Sequence, residues 1–211
     1  MNAVAEADAR LVQRCKANDA AAFNEVVARY KDRVYGYVCR MIGPGADAED
    51  LAQETFVRAY TNIHSFQSRA TLNTWLFRIA TNLCIDHIRR GQAGRGRDAS
   101  LSMEDPETRQ GVERELPDNS HNPEQAALNR ELGLRIQEAL QDLPPRLRAV
   151  VHLFDVEGLS YDEIARVVDC PLGTVKSRLF TARMALRAKL LPYLDGAEAV
   201  ESEQRIRERI G

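Results

Sequence analysis

The sequence predicts an all-α protein: two small helical domains joined by a flexible acidic linker. Apolar residues recur at helical spacing and rarely alternate, so we expect almost no β-sheet. This periodicity vanishes over residues 91–127, where Gly, Pro and polar residues form the linker. A helix-turn-helix pattern follows over residues 159–189. We therefore expect domains at 1–90 and 128–194, and a C-terminal tail at 195–211 to which no role is assigned.

Composition excludes several classes of protein. With 44% hydrophobic and 28% charged residues, the chain has the composition of a folded globular protein. No apolar run is long enough for a membrane span, and Glu6 and Asp8 stand where a signal peptide would be basic and then apolar, so we expect a cytoplasmic protein. The four cysteines and four histidines are scattered, which predicts no metal site, disulfide framework or cofactor. Buried cysteines acting as small hydrophobes are favoured over redox sensors.

The first domain opens with two predicted helices. The first is defined by the apolar stripe Phe23, Val26, Val27, Tyr30, Val34, Val38 and Met41. Residues 43–45, Gly-Pro-Gly, end it. An acidic start at Asp47 then precedes a second stripe, which consists of Ala52, Phe56, Ala59, Tyr60 and Ile63. We expect the second helix to pack on the first.

A polar break over residues 65–70 separates these helices from a third. Its predicted core stripe is Leu72, Trp75, Leu76, Ile79 and Leu83. The C-terminal end of this helix is polar and basic. Arg89 and Arg90 there fit two interpretations equally well, namely contact with DNA and a favourable interaction with the helix dipole.

The linker is strongly acidic. Between Asp98 and Gln125 eight acidic residues face only Arg109 and Arg114, which gives a net charge of −6. Such a segment avoids DNA unless a basic channel on a partner accepts it.

The second domain contains four successive helical patterns. Leu128, Leu132, Ile136 and Leu140 define the first, which stops at Leu143-Pro144-Pro145 before a helix through Val150, Val151 and Phe154. Ser160 and Glu163 then form a predicted capping box that starts the first helix of the helix-turn-helix. That helix ends near Pro171, and Gly173 and Thr174 are predicted to supply the turn and a new N-cap. Buried positions of the last helix are expected at Val175, Leu179, Ala182, Leu186 and Leu190.

This last helix carries a local basic charge. Five Lys or Arg residues and no acid lie between Gly173 and Leu190, although the whole chain has a net charge of −2. A basic helix alone is more often a solvated surface helix. The capped helix and tight turn that precede it reverse that preference and favour a helix that faces DNA phosphates.

Several motifs in one order resemble the extracytoplasmic-function (ECF) sigma factors, the short two-domain bacterial sigma factors. Segment 47–60, DAEDLAQETFVRAY, resembles their polymerase-binding helix. Segments 74–83, TWLFRIATNL, and 86–90, DHIRR, resemble their minus-ten region. Segments 143–146, 157–165 and 170–179 (LPPR, EGLSYDEIA and CPLGTVKSRL) resemble their minus-thirty-five domain. The resemblance covers roughly residues 10–90 and 128–190, and implies a region 2 bundle followed by a region 4 helix-turn-helix.

The resemblance also implies three sets of site residues. Polymerase binding is expected at Asp50, Leu51, Gln53, Glu54, Phe56 and Val57, with an exposed Phe56 as anchor, although Leu51 and Phe56 could instead belong to the domain core. The minus-ten strand is expected at Ser65, Phe66, Arg78, Asn82, Arg89 and Arg90, where Asn82 reads a flipped base and Phe66 stacks. The minus-thirty-five element is expected at Thr174, Lys176, Ser177, Arg178, Phe180, Thr181 and Arg183.

The implied function is that of a dissociable initiation subunit. Its expected partners are core RNA polymerase, through the beta and beta-prime subunits, promoter DNA and an anti-sigma factor; no small-molecule substrate is expected. The alternative is a free-standing helix-turn-helix repressor or activator, which would favour a palindromic site and would not need the segment 47–60. An enzyme finds little support, because the sequence has no P-loop, metal-ligand spacing or nucleophile motif.

Overall fold

The computed structural model describes residues 3–67, 70–95 and 123–210, with the backbone alone at 3–5, 92–95, 123–129 and 194–210. Within these ranges the chain forms eight α-helices and no strand, which confirms the predicted all-α class. The helices are α1 (Ala3–Lys16), α2 (Ala20–Ile42), α3 (Ala46–Thr61), α4 (Leu72–Arg95), α5 (Pro123–Gln141), α6 (Pro145–Val151), α7 (Tyr161–Val167) and α8 (Leu172–Ile210). Most of the predicted linker, residues 96–122, lies outside the described residues.

Helix α2 forms the centre of the first block, and α1, α3 and α4 pack around it. Its predicted stripe is buried apart from the half-buried Val27, and Val26, Val34 and Val38 are at most 1% exposed. Each such side chain contributes about 1.5–3 kcal/mol through its removal from water. The carboxylate of Asp19 caps the start of the helix by accepting from the Ala22 amide at 3.2 Å. Gly43, at φ 94°, ends it in a conformation that glycine adopts without a steric penalty.

Helices α3 and α4 differ from the predicted patterns in one respect each. Tyr60 was expected in the core, but it is 57% exposed, and its ring meets the Phe23 ring edge to face with 5.0 Å between ring centres. In α4 the predicted Leu72, Leu76 and Leu83 are buried, and so is a second face, which consists of Phe77, Ala80, Thr81 and Cys84. On this second face, Phe77 and Thr81 contact Tyr37 of α2: the two rings meet edge to face, and the two hydroxyls lie 2.7 Å apart. Helix α4 also packs against α3, α6 and α7.

The second block begins with α5 and α6. Pro123, the first residue of α5, lies before the predicted domain start at residue 128, and proline is favoured at the first helical position. Ile136 is 38% exposed, and Ala139 is buried in this part of α5 instead. Helix α5 ends at Gln141, just before Leu143-Pro144-Pro145, where the sequence predicts a stop, and Pro145 is the first residue of α6. A wide π-helical turn, His152–Val156, then leads towards the helix-turn-helix.

The helix-turn-helix consists of α7 and the start of α8. The predicted capping box is confirmed, since the Ser160 hydroxyl accepts from the Glu163 amide and the Glu163 carboxylate accepts from the Ser160 amide at 3.0 Å. The predicted N-cap of the last helix was wrong: α8 begins at Leu172, and the carbonyl of Pro171 accepts from the Thr174 amide at 2.9 Å. Helix α8 then continues by its backbone to Ile210, through the residues predicted as a tail.

Direct polar contacts join the two blocks. The Glu157 carboxylate, whose side chain is only 5% exposed, lies between the guanidinium groups of Arg33 and Arg40 of α2. Arg148 donates a hydrogen bond to the backbone carbonyl of Met41, and Gln141 donates to that of Arg40 at 3.0 Å. These contacts join residues more than 100 positions apart in the sequence.

Among the described residues, no helix combines the length and apolar character needed to cross a bilayer. The same part of the chain contains no group of three His, Cys, Asp or Glu side chains placed to hold a metal ion.

Candidate functional site

The first part of α8 is held in place by a buried stripe and presents its other side to solvent. Val175, Leu179 and Ala182 are at most 3% exposed and pack into the second block. Because these positions recur every three or four residues, the residues between them point outwards. The exposed face consists of Lys176, Ser177, Phe180, Thr181 and Arg183. This is the face on which the minus-thirty-five residues were expected.

The exposed face has the chemistry of a groove-binding helix. Phe180 is 68% exposed, so its ring is available for apolar contact. The ammonium group of Lys176 lies 5.9 Å from the centre of the Tyr161 ring, close to the start of α7. Ser177 donates its hydroxyl hydrogen to the Thr174 carbonyl at 3.0 Å, so its oxygen can still accept from another group.

Arg178, Arg183 and Thr174, which were expected to contact DNA, are half-buried or already have partners within the protein. Arg183 pairs with Asp155 at 2.8 Å and lies over the ring of Phe154. Arg178 is half-buried, and its guanidinium lies 3.6 Å from the Cys170 sulfur. Thr174 is half-buried in the first turn of α8. Contact of Arg183 with a phosphate would therefore require it to exchange one anionic partner for another.

Some of the predicted minus-ten residues are exposed on α4, and others are buried or contact the second block. Asn82, Arg89 and Arg90 are exposed on the same helix. Arg89 makes a 3.4 Å ion pair with Asp86 within α4, and such exposed pairs contribute little to stability. Because α4 carries an amide followed by cations along its exposed side, it offers donors for base edges as well as charge for phosphates.

The position of Phe66 contradicts the prediction that its ring stacks on a base. It is 6% exposed, and its ring packs against Trp75 with 5.1 Å between ring centres. A ring in this position cannot stack on an unpaired base unless the loop rearranges. Trp75 itself is half-buried beside it. Ser65 is exposed and donates its hydroxyl hydrogen to the Asn62 carbonyl at 2.7 Å.

Arg78 lies on the side of α4 that faces the second block. Its guanidinium is 3.5 Å from the Asp169 carboxylate, and it lines an open crevice of about 480 Å³ together with Ala165, Arg166, Cys170 and Pro171. Thr74, one turn earlier, is 3.4 Å from the Glu163 carboxylate. Packing of the two blocks therefore occupies part of the predicted minus-ten surface.

The predicted polymerase-binding residues of α3 differ in exposure. Asp50, Gln53 and Val57 are exposed, and Leu51 and Glu54 are half-buried. Phe56, the expected anchor, is only 9% exposed, because it shares the inner face of α3 with Ala52 and Ala59. The exposed apolar side chains are Val57 at 58% and Tyr60 at 57%. The helical spacing placed Tyr60 in the core, so it was not included among the polymerase-binding residues. Its position in the helical repeat fits the apolar stripe and the neighbouring surface equally well.

Lys16, which no sequence pattern singles out, contacts the segment just before α4. Its ammonium group donates a hydrogen bond to the Phe66 carbonyl at 2.7 Å, across 50 positions of sequence. No motif or periodicity in the sequence links these two residues.

Comparison with known proteins identifies the family of this chain. The family model for Sigma-70 region 2 matches residues 26–94, and the model for Sigma-70 region 4 matches residues 133–186. The RNA polymerase sigma-H factor of Pseudomonas aeruginosa is 38% identical over 192 residues, which cover 90% of this chain and 96% of that protein. The ECF RNA polymerase sigma factor SigW of Bacillus subtilis is 38% identical over 179 residues, which cover 85% and 94%.

Two solved structures share the fold. CnrH, solved in complex with the cytosolic domain of CnrY, is 25% identical and gives a TM-score of 0.63 over 87% of this chain and 97% of that one. The sigma factor RpoE of Bartonella quintana, solved with the anti-sigma factor NepR, is 22% identical and gives a TM-score of 0.59 over 80% and 96%. Two family models in the expected order, together with relatives that align over almost the whole chain, establish the relationship. The chain therefore belongs to the ECF RNA polymerase sigma factors and is a transcription initiation factor.

Proposed function

We propose that this chain binds core RNA polymerase through α3, reads the minus-ten element with α4 and its preceding loop, and reads the minus-thirty-five element with the start of α8. The observation that carries the proposal is that each of three helices exposes part of the residue set that its family motif predicts. These exposed residues are Asp50, Gln53 and Val57 on α3, Asn82, Arg89 and Arg90 on α4, and Lys176, Ser177, Phe180, Thr181 and Arg183 on α8. In our proposal the protein acts in the cytoplasm and performs no covalent chemistry, since nucleotide addition belongs to the polymerase.

Reading of the minus-thirty-five element rests on the exposed face of α8. A helix that enters the major groove reads base edges with the residues nearest its N-terminus. Lys176, Ser177, Phe180 and Thr181 occupy those positions and are exposed. Lys176 can donate to guanine acceptors, and Phe180 can pack on a thymine methyl group. Arg178 lies nearer the buried side and Arg183 is already paired with Asp155, so both are better suited to contact phosphates than bases.

Opening of the minus-ten element rests on capture of unpaired bases. Flipping a base costs a few kcal/mol, and the protein must offset that cost with contacts that exist only in the open state. Asn82 can donate to and accept from a base edge, and Arg89 and Arg90 can hold the neighbouring phosphates. Because Phe66 is buried, we assign it to support of the loop rather than to base stacking.

Docking on polymerase rests on the outer face of α3. Exposed Val57 and Tyr60 supply apolar area, and Asp50 and Gln53 supply a polar rim. Large exposed apolar side chains close together typically mark protein interfaces. An anti-sigma partner that covered the same face would block docking, and we propose such a partner for this chain. The similar CnrH has been solved with a bound partner domain.

The test is run-off transcription with core polymerase from the same organism, with and without this chain, on candidate promoters from its own genome. Promoter-specific transcripts that depend on the chain would support the proposal. Failure of the chain to bind core polymerase would contradict it and would favour a free-standing helix-turn-helix regulator. Such a regulator would bind a palindromic DNA site without polymerase.

A further inference from the structure

Two aromatic rings of the second block stack on each other beside the exposed face of α8. The rings of Phe154 and Tyr161 are nearly parallel, with an angle of 10° between their planes and 4.9 Å between their centres. Both side chains are half-buried and pack against the hydrophobic core. Stacked rings stabilise each other beyond the apolar area they bury, so the pair forms a rigid element next to the helix that is proposed to read DNA.

The backbone holds both rings in place. The Leu159 amide donates to the Leu153 carbonyl at 3.0 Å, which joins the turn that carries Phe154 to the segment before α7. Tyr161 is the first residue of α7, and the capping box described above fixes the start of that helix. The positions of both rings therefore follow from local hydrogen bonds as well as from stacking.

Each ring of the pair contacts one cation from the exposed face of α8. The Lys176 ammonium lies 5.9 Å from the centre of the Tyr161 ring, and the Arg183 guanidinium carbon lies 5.3 Å from the centre of the Phe154 ring. A cation is attracted to the face of an aromatic ring within about 6 Å of its centre. Because Lys176 and Arg183 are about two helical turns apart, one aromatic pair holds cations at two levels of the helix.

The two cations differ in how much they depend on the rings. Arg183 also pairs with Asp155 at 2.8 Å. Within the part of the chain that the structure describes, Lys176 makes no ion pair, and the Tyr161 ring is the group that restrains its ammonium. Lysine carries its charge on a flexible four-carbon stem. A contact that restrains this stem before binding reduces the conformational freedom lost when the ammonium meets a base.

We propose that Tyr161 is a positioning residue for minus-thirty-five recognition: its ring, stacked on Phe154, holds the Lys176 ammonium where it meets a base edge and so sharpens the choice of base. This inference rests on the proposed function, since it assumes that Lys176 reads the minus-thirty-five element. Tyr161 acts through Lys176 and needs no contact of its own with DNA. Its role differs from that of Ile164 and Val167, which are buried in α7 and support the fold alone.

The experiment measures binding of holoenzyme, formed from full-length chain and core polymerase, to promoters with single-base changes in the minus-thirty-five element. The starting promoter is one found by run-off transcription. Tyr161→Leu keeps apolar bulk but removes the ring. We expect it to reduce the preference for the matched base, at the position that depends on Lys176, by about two- to fivefold, the effect of one exposed contact between a cation and a ring. Tyr161→Phe keeps the ring and should retain the preference.

Combination with Lys176→Ala identifies the route of the effect. Because Tyr161 acts through Lys176, Tyr161→Leu should cause no further loss of base preference in the Lys176→Ala background. A further loss, or a loss at a different base position, would show that Tyr161 contacts DNA itself and would overturn the inference. Tyr193→Leu is the matched control and should keep the preference, because Tyr193 is an exposed ring of α8 whose cation is Arg135 of α5, at 5.1 Å.

NMR spectroscopy of the free full-length chain tests the contact without DNA. A proton above an aromatic ring resonates upfield, so the ε-methylene signals of Lys176 should lie upfield of those of Lys31, an exposed lysine of α2. They are assigned by their loss in Lys176→Arg and should return to the ordinary position in Tyr161→Leu. Ordinary Lys176 signals in the unaltered chain would overturn the inference, even if Tyr161→Leu failed to fold.

The remaining outcomes separate the inference from the proposed function. A lower melting temperature of Tyr161→Leu with an unchanged base preference is the result of a purely structural role and would contradict the inference. Loss of preference in Tyr161→Phe would assign the effect to the hydroxyl group in place of the ring, with the same consequence. Unaltered holoenzyme without any base preference in the minus-thirty-five element would instead refute the proposed function itself.

Discussion

Arg148 of α6 donates a hydrogen bond to the backbone carbonyl of Met41 at the end of α2, and so connects the two blocks through a buried cation. The same guanidinium donates to Gln141 and to the Leu143 carbonyl at 3.2 Å. Burial lowers the pKa of Arg148, but the carbonyl groups around it remain good acceptors for the charged form. One side chain therefore satisfies acceptors in α2, in α5 and in the turn before α6.

We predict that Arg148→Met lowers the free energy of unfolding by about 2–4 kcal/mol, because the carbonyls it serves lose their donor while methionine fills similar space. Urea unfolding followed by circular dichroism measures the change. Arg146→Met is the control, since Arg146 is an exposed arginine two residues away. An equal effect of the two substitutions would contradict the role assigned to Arg148.

His152 makes stability depend on pH. It is 2% exposed, and burial lowers its pKa to about 4, with Arg40 and Arg148 acting in the same direction. In the unfolded chain the His152 imidazole has its ordinary pKa near 6.5, so it binds a proton more readily there than in the folded protein. The free energy of unfolding is therefore highest above about pH 6.5, where His152 is neutral in both states. It decreases as the pH falls towards 4, by an amount on the order of 2–3 kcal/mol.

This prediction is tested by urea unfolding between pH 4 and pH 8. The His152→Gln variant should show a smaller decrease in stability on acidification than the unaltered protein. His64→Gln, at an exposed position, should follow the unaltered protein. If all three decreased in parallel, the buried imidazole would not be the source of the pH dependence.

Substitutions of Tyr60 and Phe56 should have different effects, the first on polymerase binding and the second on stability. We expect Tyr60→Ala to weaken core polymerase binding by about tenfold or more, as truncation of an exposed aromatic anchor does. Phe56→Ala should instead destabilise the fold by about 3–5 kcal/mol, because it leaves a cavity in the core. Binding titrations and thermal melts distinguish the two, and Tyr193→Ala on α8 is an exposed aromatic control. Normal docking by the Tyr60 variant would move the interface elsewhere.

Lys176→Ala should weaken promoter binding by about 1–3 kcal/mol and relax base preference at one minus-thirty-five position. Arg187→Ala, further along the same exposed side of α8, should weaken binding less and without a change in sequence preference. Binding of holoenzyme to a set of promoters with single-base changes measures both effects. Equal loss on specific and random DNA would contradict a base-reading role for Lys176.

Asn82→Ala should impair promoter opening more than closed-complex binding, because its amide acts on an unpaired base. Arg89→Ala should weaken both steps, since a phosphate is present in each. Permanganate reactivity of minus-ten thymines reports opening, and binding at low temperature reports the closed complex. Normal reactivity in the Asn82 variant would remove this residue from the strand-capture site.

Much of the molecule follows from local sequence. The α2 stripe, the Gly43 stop and the Ser160–Glu163 capping box all appear as predicted, because each depends on residues within a few positions of one another. The outward face of α8 is equally local, since Val175, Leu179 and Ala182 leave only the intervening positions free.

The errors about which aromatic side chains are buried have a common cause in contacts between distant parts of the chain. Phe56 and Tyr60 are both aromatic residues in one helical stripe, and only the packing of α3 on α2 decides which is buried. Phe66 is aromatic and lies in a polar break, and only the position of Trp75 makes it a core residue.

The sequence by itself determined the all-α class, the helix-turn-helix and the basic character of its last helix, because periodicity, capping and charge are written within single segments. The tertiary structure alone decided that Glu157 lies between Arg33 and Arg40, that α4 is buried on two faces, and that Lys16 reaches Phe66. The physical reason is that a hydrogen bond or ion pair between distant segments leaves no periodic pattern. It depends on where the packed helices bring two groups within 3 Å or so of each other.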